Sequence, residues 1–264
     1  MMTNLQVFTQ LWDWRSPAWW MTLAATGAYL IVARRRRASP RQIGFFTTSA
    51  AAFLIALASP LAVLASRYLF SAHMAQHLLL LLIVPLCAIL AWPSPREHVT
   101  TVHPRHRPRG AIAIGWAAGV GAMWFWHIPA FCTASMRSPM VFDVQIVSLI
   151  AAGAAFWWPI FSPSAARRMQ PHLAAAYLFS GCVGCSLLGI YITFSPVSVC
   201  PLYGAPVGSS ALLSLIREQW GLTHRIDQQV GGLLMWVPAC MVYLGAILAT
   251  LSSWYQVPEQ TRTA

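Results

Sequence analysis

Seven stretches of this chain stay apolar over 17 residues or more: Pro17–Ala33, Ile43–Ala65, Leu69–Trp92, Ala111–His127, Val141–Phe161, Leu173–Phe194 and Gln229–Leu251. A helix needs about 20 apolar residues to cross the hydrocarbon of a bilayer. Lipid offers the backbone no water, so a crossing segment must satisfy its own N–H and C=O groups, as a helix does. The runs therefore predict an all-α fold, a polytopic membrane bundle of about seven transmembrane helices. Composition agrees. Charged residues are 9% of the 264, and mean hydropathy is +0.59, against about 25% charged residues in a soluble domain. Soluble globular, disordered and disulfide-framework classes are excluded. There is no internal repeat, so residues 1–264 read as a single integral membrane domain with its core over 43–251.

All 17 basic residues are Arg, which rules out Schiff-base chemistry and a P-loop lysine. The net charge of +11 does not point to nucleic acid. Most of these Arg lie in short connections between apolar runs, where they orient a membrane protein and meet anionic lipid. The lipid bilayer is the expected partner. Arg34, Arg35, Arg36 and Arg37 follow the first run, the reverse of a cleaved signal peptide, and hold that end inside. Inside segments 34–42, 93–110, 162–172 and the C-terminal tail then carry twelve Arg against five outside. This predicts the N-terminus outside and the C-terminus inside. The long outer connection 195–228 begins with Pro196, Pro201, Gly204, Pro206 and Gly208. Leu212, Leu213, Leu215, Ile216 and Trp220 then predict a short amphipathic helix over 210–220, lying in the outer interface.

Ionisable groups within apolar spans are costly and mark function by default. In this orientation His73, His77, His127 and Asp143 all fall toward the outer ends of their helices. His73 and His77 are four residues apart, so they share a helical face, about 6 Å apart along the axis. That spacing can hold two imidazoles on one metal, or glue helices by hydrogen bonds. His127 ends the fourth run, with Met123 one turn before it. It is a third candidate nitrogen or an interfacial His among belt aromatics. Imidazole suits copper and zinc, and thioether sulfur selects Cu(I). Met74 and Met123 are accessory donor candidates, and the residues by themselves leave the identity of the metal open; copper is what the resemblance given below implies.

Asp143 reads either as an accessory carboxylate orienting a His or as a helix cap. Asp227 and Gln228 read as structural residues, with Asp227 capping the seventh helix, or as a polar lid over the site. Cys182 and Cys185 read as small packing residues; the external Cys132 and Cys200 are open to pairing or metal binding, with neither as the preferred reading. His98, His103, His106 and His172 belong to inside loops, and His224 to the outer connection. No nucleophile elbow, P-loop, Rossmann fingerprint or HExxH motif is present, so a conventional enzyme is not expected.

FSAHMAQHLLLLLIVPL (70–86), WHIPAF (126–131), FWWPI (156–160), LLGIYITFSP (187–196) and DQQVGGLLMWVP (227–238) together resemble the multi-spanning CtaG-type cytochrome c oxidase assembly factors. The likeness covers roughly residues 43–251. It implies a multi-pass protein of the bacterial plasma membrane that assists copper-centre maturation of a haem–copper oxidase and docks on its subunits. His73, His77, His127, Asp227 and Gln228 match the family's polar signature. One departure stands out: many members carry a His about ten residues before FWW, which here falls on Ile146, after Gln145. Two other readings stay open. A haem-binding electron-transfer subunit would use His73 and His127 as axial ligands. A copper or small-solute permease would need polar groups at the midplane, and few are there.

Overall fold

A computed structural model of the chain describes residues 3–93, 109–164, 167–204 and 208–255. All regular structure among them is helical. The helices are α1 (Asn4–Gln10), α2 (Pro17–Arg36), α3 (Pro40–Ala58), α4 (Pro60–Arg67), α5 (Phe70–Ala91), α6 (Arg109–Trp126), α7 (Pro129–Arg137), α8 (Pro139–Phe161), α9 (Pro171–Phe194), α10 (Ser210–Ser214) and α11 (His224–Tyr255). Arg96, Arg105, Arg107, Arg262, His98, His103, His106 and Pro206 lie outside the described residues.

Proline punctuates the chain. Helices α2, α3, α4, α7, α8 and α9 each begin on one, where its missing N–H costs nothing and its fixed φ suits the first turn. Ser16, Ser39, Ser59 and Ser138 cap four of these starts, and Ser39 completes a capping box with Gln42.

Five helices are long and apolar enough to cross a membrane: α3, α5, α8, α9 and α11. Residues Gly110–Trp126 of α6 and helix α7 pass the same test together, as a sixth span bent by 75°. Among the described residues this length-and-composition test thus selects five or six helices, beside the seven apolar runs of the sequence. The first run does form a helix, α2, but Trp19, Trp20, Thr22, Thr26 and the terminal Arg34, Arg35 and Arg36 make it too polar to qualify. The second run also breaks, at Ser59, where Pro60 starts α4.

Helix α5 is the axis of the bundle. It packs against α3, α4, α8 and α11, while α9 lies along α11 and α6 along α8. Trp157, Leu80, Leu81, Leu149, Leu178, Leu188 and Met235 fill the shared core. Within α5, residues Leu79–Ile83 widen into a π turn just before Pro85. Proline lacks the N–H for Leu81 and its ring would clash with that carbonyl, so the wider turn relieves both problems. Gly153 of α8 packs here. A Cβ on it would come 2.7 Å from Pro85 Cγ and press on the Leu81 carbonyl.

The helix expected over 210–220 is present, as α10 followed by a π turn, Leu215–Gln219. Its apolar side does not face lipid, however. Leu212, Leu215 and Ile216 are buried against Val7, Ala65, Tyr68, Leu69 and Ala72. The protein, rather than the bilayer, supplies the surface that this amphipathic pattern needed.

Replacing Gly153 with Ala is expected to destabilise by about 1–3 kcal/mol, because backbone cannot retreat from the added methyl. The change is read as a lower midpoint of thermal unfolding in detergent. An unchanged midpoint would mean that α5 and α8 do not meet at the π turn.

Candidate functional site

Helix α5 starts without a cap of its own: Leu69 occupies the cap position and offers no side-chain hydrogen bond. Asp227 of α11 supplies the missing acceptor. Its carboxylate accepts from Phe70 N at 2.7 Å, Ser71 N at 3.0 Å and Ser71 Oγ at 2.5 Å. A carboxylate there meets orphan N–H groups and the positive end of the helix dipole. Asp227 is fully buried. It thus caps α5 across the bundle and not, as its sequence position suggests, its own helix, which opens after Thr223.

With α5 pinned in this way, its first two turns point His73, Met74 and His77 into the interior. All three are at most 2% exposed. The His73 and His77 rings lie 4.2 Å apart, and His77 meets His127 edge-on at 5.3 Å. His127 arrives from the corner between α6 and α7. Pro129 forces Ile128 out of the helical region, so the chain turns there.

His127 Nδ1 donates to the Met123 carbonyl at 2.5 Å. A carbonyl can only accept, so the proton sits on Nδ1 and the bare Nε2 lone pair faces Met74 Sδ at 3.0 Å. In the neutral ring no proton lies between these two atoms. Neither nitrogen of His73 nor of His77 has a hydrogen-bond partner, although all are buried. Gln76 lies beside His73 and Gln145 beside His77. The Gln76 amide is committed to the Ala56 carbonyl at 2.8 Å. The free donors are imidazole nitrogen and thioether sulfur. Among the described residues, no three His, Cys, Asp or Glu are placed to hold a metal ion: the three rings gather but do not converge on one point.

The outer connection roofs this pocket. Gln228 clamps its start, donating to the carbonyls of Ile192, Ser195 and Val197 at 3.2, 3.4 and 3.2 Å and accepting from Val199 N at 3.1 Å. A disulfide joins Cys132 of α7 to Cys200, with Cα atoms 6.0 Å apart. This corrects the expectation that these cysteines stay unpaired. The bend after His127 brings α7 beneath the connection, a contact that 68 residues of sequence separation conceal. Tyr203, in a single 3-10 turn (Pro201–Gly204), is fully buried. Its ring sits 5.8 Å from Phe70 and 6.0 Å from His73, and its hydroxyl donates to the Ala65 carbonyl. Burial, and then the Asp227 charge, hold its phenol proton on well above the ordinary range.

Two accessory candidates fall elsewhere. Asp143 is exposed on α8. Two residues along a helix rotate it about 200° away from Gln145, and Ser138, not Asp143, caps α8. Met123 is buried and contributes its carbonyl to His127. The fifth-span residue of the pocket is Gln145. It heads the buried stripe Gln145, Leu149, Ala152 and Phe156, a helical spacing that could have singled it out ahead of Ile146. Tyr203 and Gln76 left no comparable signal.

The chain matches the model of the cytochrome c oxidase caa3 assembly factors (Caa3_CtaG) over residues 27–257. It belongs to that family. The match takes in every pocket residue, the roof and the Asp227 clasp, and it carries an assembly-factor role for cytochrome c oxidase. No curated protein and no solved structure matches the chain.

Removing the clasp tests this architecture. Asp227→Ala strands three buried donors, each worth about 1–3 kcal/mol when left unmade. Unfolding in detergent is expected at a lower temperature, with faster hydrogen exchange at the amides of 70 and 71. Asp227→Asn keeps an acceptor and falls between. Unchanged exchange at those amides in the Ala variant would refute the clasp.

Proposed function

We propose that this assembly factor serves copper-centre maturation by holding copper, as Cu(I), among His73, His77, His127 and Met74 before passing it to an oxidase subunit at the outer face of the bacterial plasma membrane. The observation that carries this reading is the set of buried nitrogens without partners, both of His73 and both of His77, with His127 Nε2 set against Met74 Sδ beside them. A buried polar group is normally hydrogen-bonded, and each exception asks for an explanation such as an ion. The donor types favour copper. Imidazole alone would suit zinc equally, but thioether sulfur selects Cu(I), and no Cys or carboxylate donor accompanies the pocket.

The rings need side-chain rotation to close on an ion. His73 and His77 have no hydrogen bond to resist that rotation. His127 is different: its Nδ1 contact with Met123 fixes the ring and keeps Nε2 as the donor. The mutual packing of the three rings, with His77 touching both others, favours a small ion over a macrocycle seated between His73 and His127.

The wild-type protein, purified in detergent, is expected to retain copper measurable by mass spectrometry, and the His73→Ala/His77→Ala double variant to lose it. Met74→Leu, which keeps the size but not the sulfur, should weaken Cu(I) binding by at least the order of tenfold in competition with a chromophoric chelator. Equal copper in wild type and double variant would remove the metal reading and leave the assembly role standing. A Soret band from the purified protein would favour haem instead.

A further inference from the structure

Between α2 and the face made by α3 and the second half of α5 runs a groove of about 480 Å³, within the range of small-molecule sites. Ala25, Ala28, Ala50 and Ala88 form much of its wall, and their small side chains leave α2 standing off from α5. The groove offers almost no polar contact. Tyr29 OH donates to the Ala91 carbonyl at 3.1 Å and Ser49 Oγ to that of Val84 at 2.8 Å. Of the lining hydroxyls only that of Thr22, far from the arginine end, has no partner. The occupant must therefore be hydrocarbon along most of its length. A membrane helix is too bulky: at a diameter of about 10 Å, this volume takes roughly one turn.

The inner end of the groove is charged. Trp92 lines it, and next to Trp92 the Arg36 guanidinium donates to the Pro93 carbonyl at 3.4 Å. Arg34, Arg35, Arg37 and Arg41 are exposed around the same end. The described acidic residues, Asp13, Asp143, Glu218 and Asp227, all belong to the opposite end of the bundle. A hydrocarbon slot that ends among arginines, with no acidic partner for them among the described residues, is complementary to one class of molecule.

We infer that the groove binds an acidic phospholipid, with one acyl chain between α2 and α5 and its phosphate among Arg34, Arg35, Arg36, Arg37 and Arg41. The lipid fills the gap that the alanines leave and fastens α2, whose own packing is mainly on α3. This site shares no residue with the histidine pocket, so it stands or falls separately from the copper reading.

The full chain in detergent is titrated with dioleoylphosphatidylglycerol or dioleoylphosphatidylcholine and followed by native mass spectrometry. The wild type is expected to retain the glycerol lipid in preference to the choline lipid. Arg34→Gln, Arg35→Gln and Arg37→Gln should each weaken the glycerol lipid about fivefold and leave the choline lipid unaffected. Ala28→Phe and Ala88→Phe, which fill the groove from opposite walls, should abolish retention of both. If Ala88→Phe misfolds, Ala28→Phe on the outlying α2 still decides. Equal retention of the two lipids by the wild type, or undiminished retention by the groove-filled variants, would overturn the proposal. So would an oxidase subunit that displaces the lipid from the groove.

Discussion

A single carboxylate governs the geometry of this protein. Asp227 joins residues 156 and 157 positions apart in sequence, binding two backbone N–H groups and a hydroxyl at the start of α5. An isolated carboxylate would be costly to bury, but three hydrogen bonds and a helix dipole compensate it. In lipid the uncapped end of α5 would have no water to turn to, so the clasp is stronger here than on a soluble surface. It also sets the register between α5 and α11. One turn later Gly231 faces Phe70 and Met74, where a Cβ would stand 2.6 Å from the Phe70 ring. That close approach presses Met74 inward, toward His127.

The pocket behind the clasp is polar without being satisfied. Four nitrogens of His73 and His77 find no partner, and Gln145 Nε2 and Trp157 Nε1 share that condition. A flexible protein would relieve this by rotating the rings toward carbonyls or water. Three fastenings hold the surrounding walls in place: Gln228 on the carbonyls at the end of α9, the Cys132–Cys200 bond, and Tyr203 over His73. Unsatisfied groups persist only where the surrounding structure over-determines them, and such sites are usually functional. The same lack of partners leaves these nitrogens available as donors.

The sequence made the helical class plain, because apolar runs of 17 or more residues leave few alternatives, and it isolated His73, His77 and His127 as intramembrane ionisable groups. It could not supply partners. Asp227 looked like a cap for the helix it opens, since only proximity in sequence was visible. Asp143 drew attention as a charge inside a span, yet a charge exposed near a helix end costs little and need not act. Gln145 was passed over because an amide in an apolar run is a weak signal, although its place on the buried stripe marked it. Cys132 and Cys200 looked independent for want of the 75° bend that unites their segments. α10 looked interfacial because an amphipathic pattern reports an apolar neighbour and does not say whether that neighbour is lipid or protein.

Attachment is distributed unevenly over the fold. Around the histidines the backbone is held by the Asp227 clasp, the Gln228 clamp, the Cys132–Cys200 bond and the Gly231 contact, while no hydrogen bond holds the His73 and His77 rings themselves. Helix α2 is different. It touches the bundle through its Ser16 cap on the Leu57 carbonyl, the Tyr29–Phe46 stack at 4.0 Å, the Tyr29–Ala91 and Arg36–Pro93 hydrogen bonds and a few small side chains, and the alanines beside them leave space instead of contact. Apolar packing in lipid has no hydrophobic driving force, only van der Waals contact and hydrogen bonds. A helix attached so sparsely is therefore the part of the fold whose position depends most on what the membrane puts next to it. The walls of the histidine pocket are tied by protein contacts alone, and the outlying helix is left to its lipid neighbours.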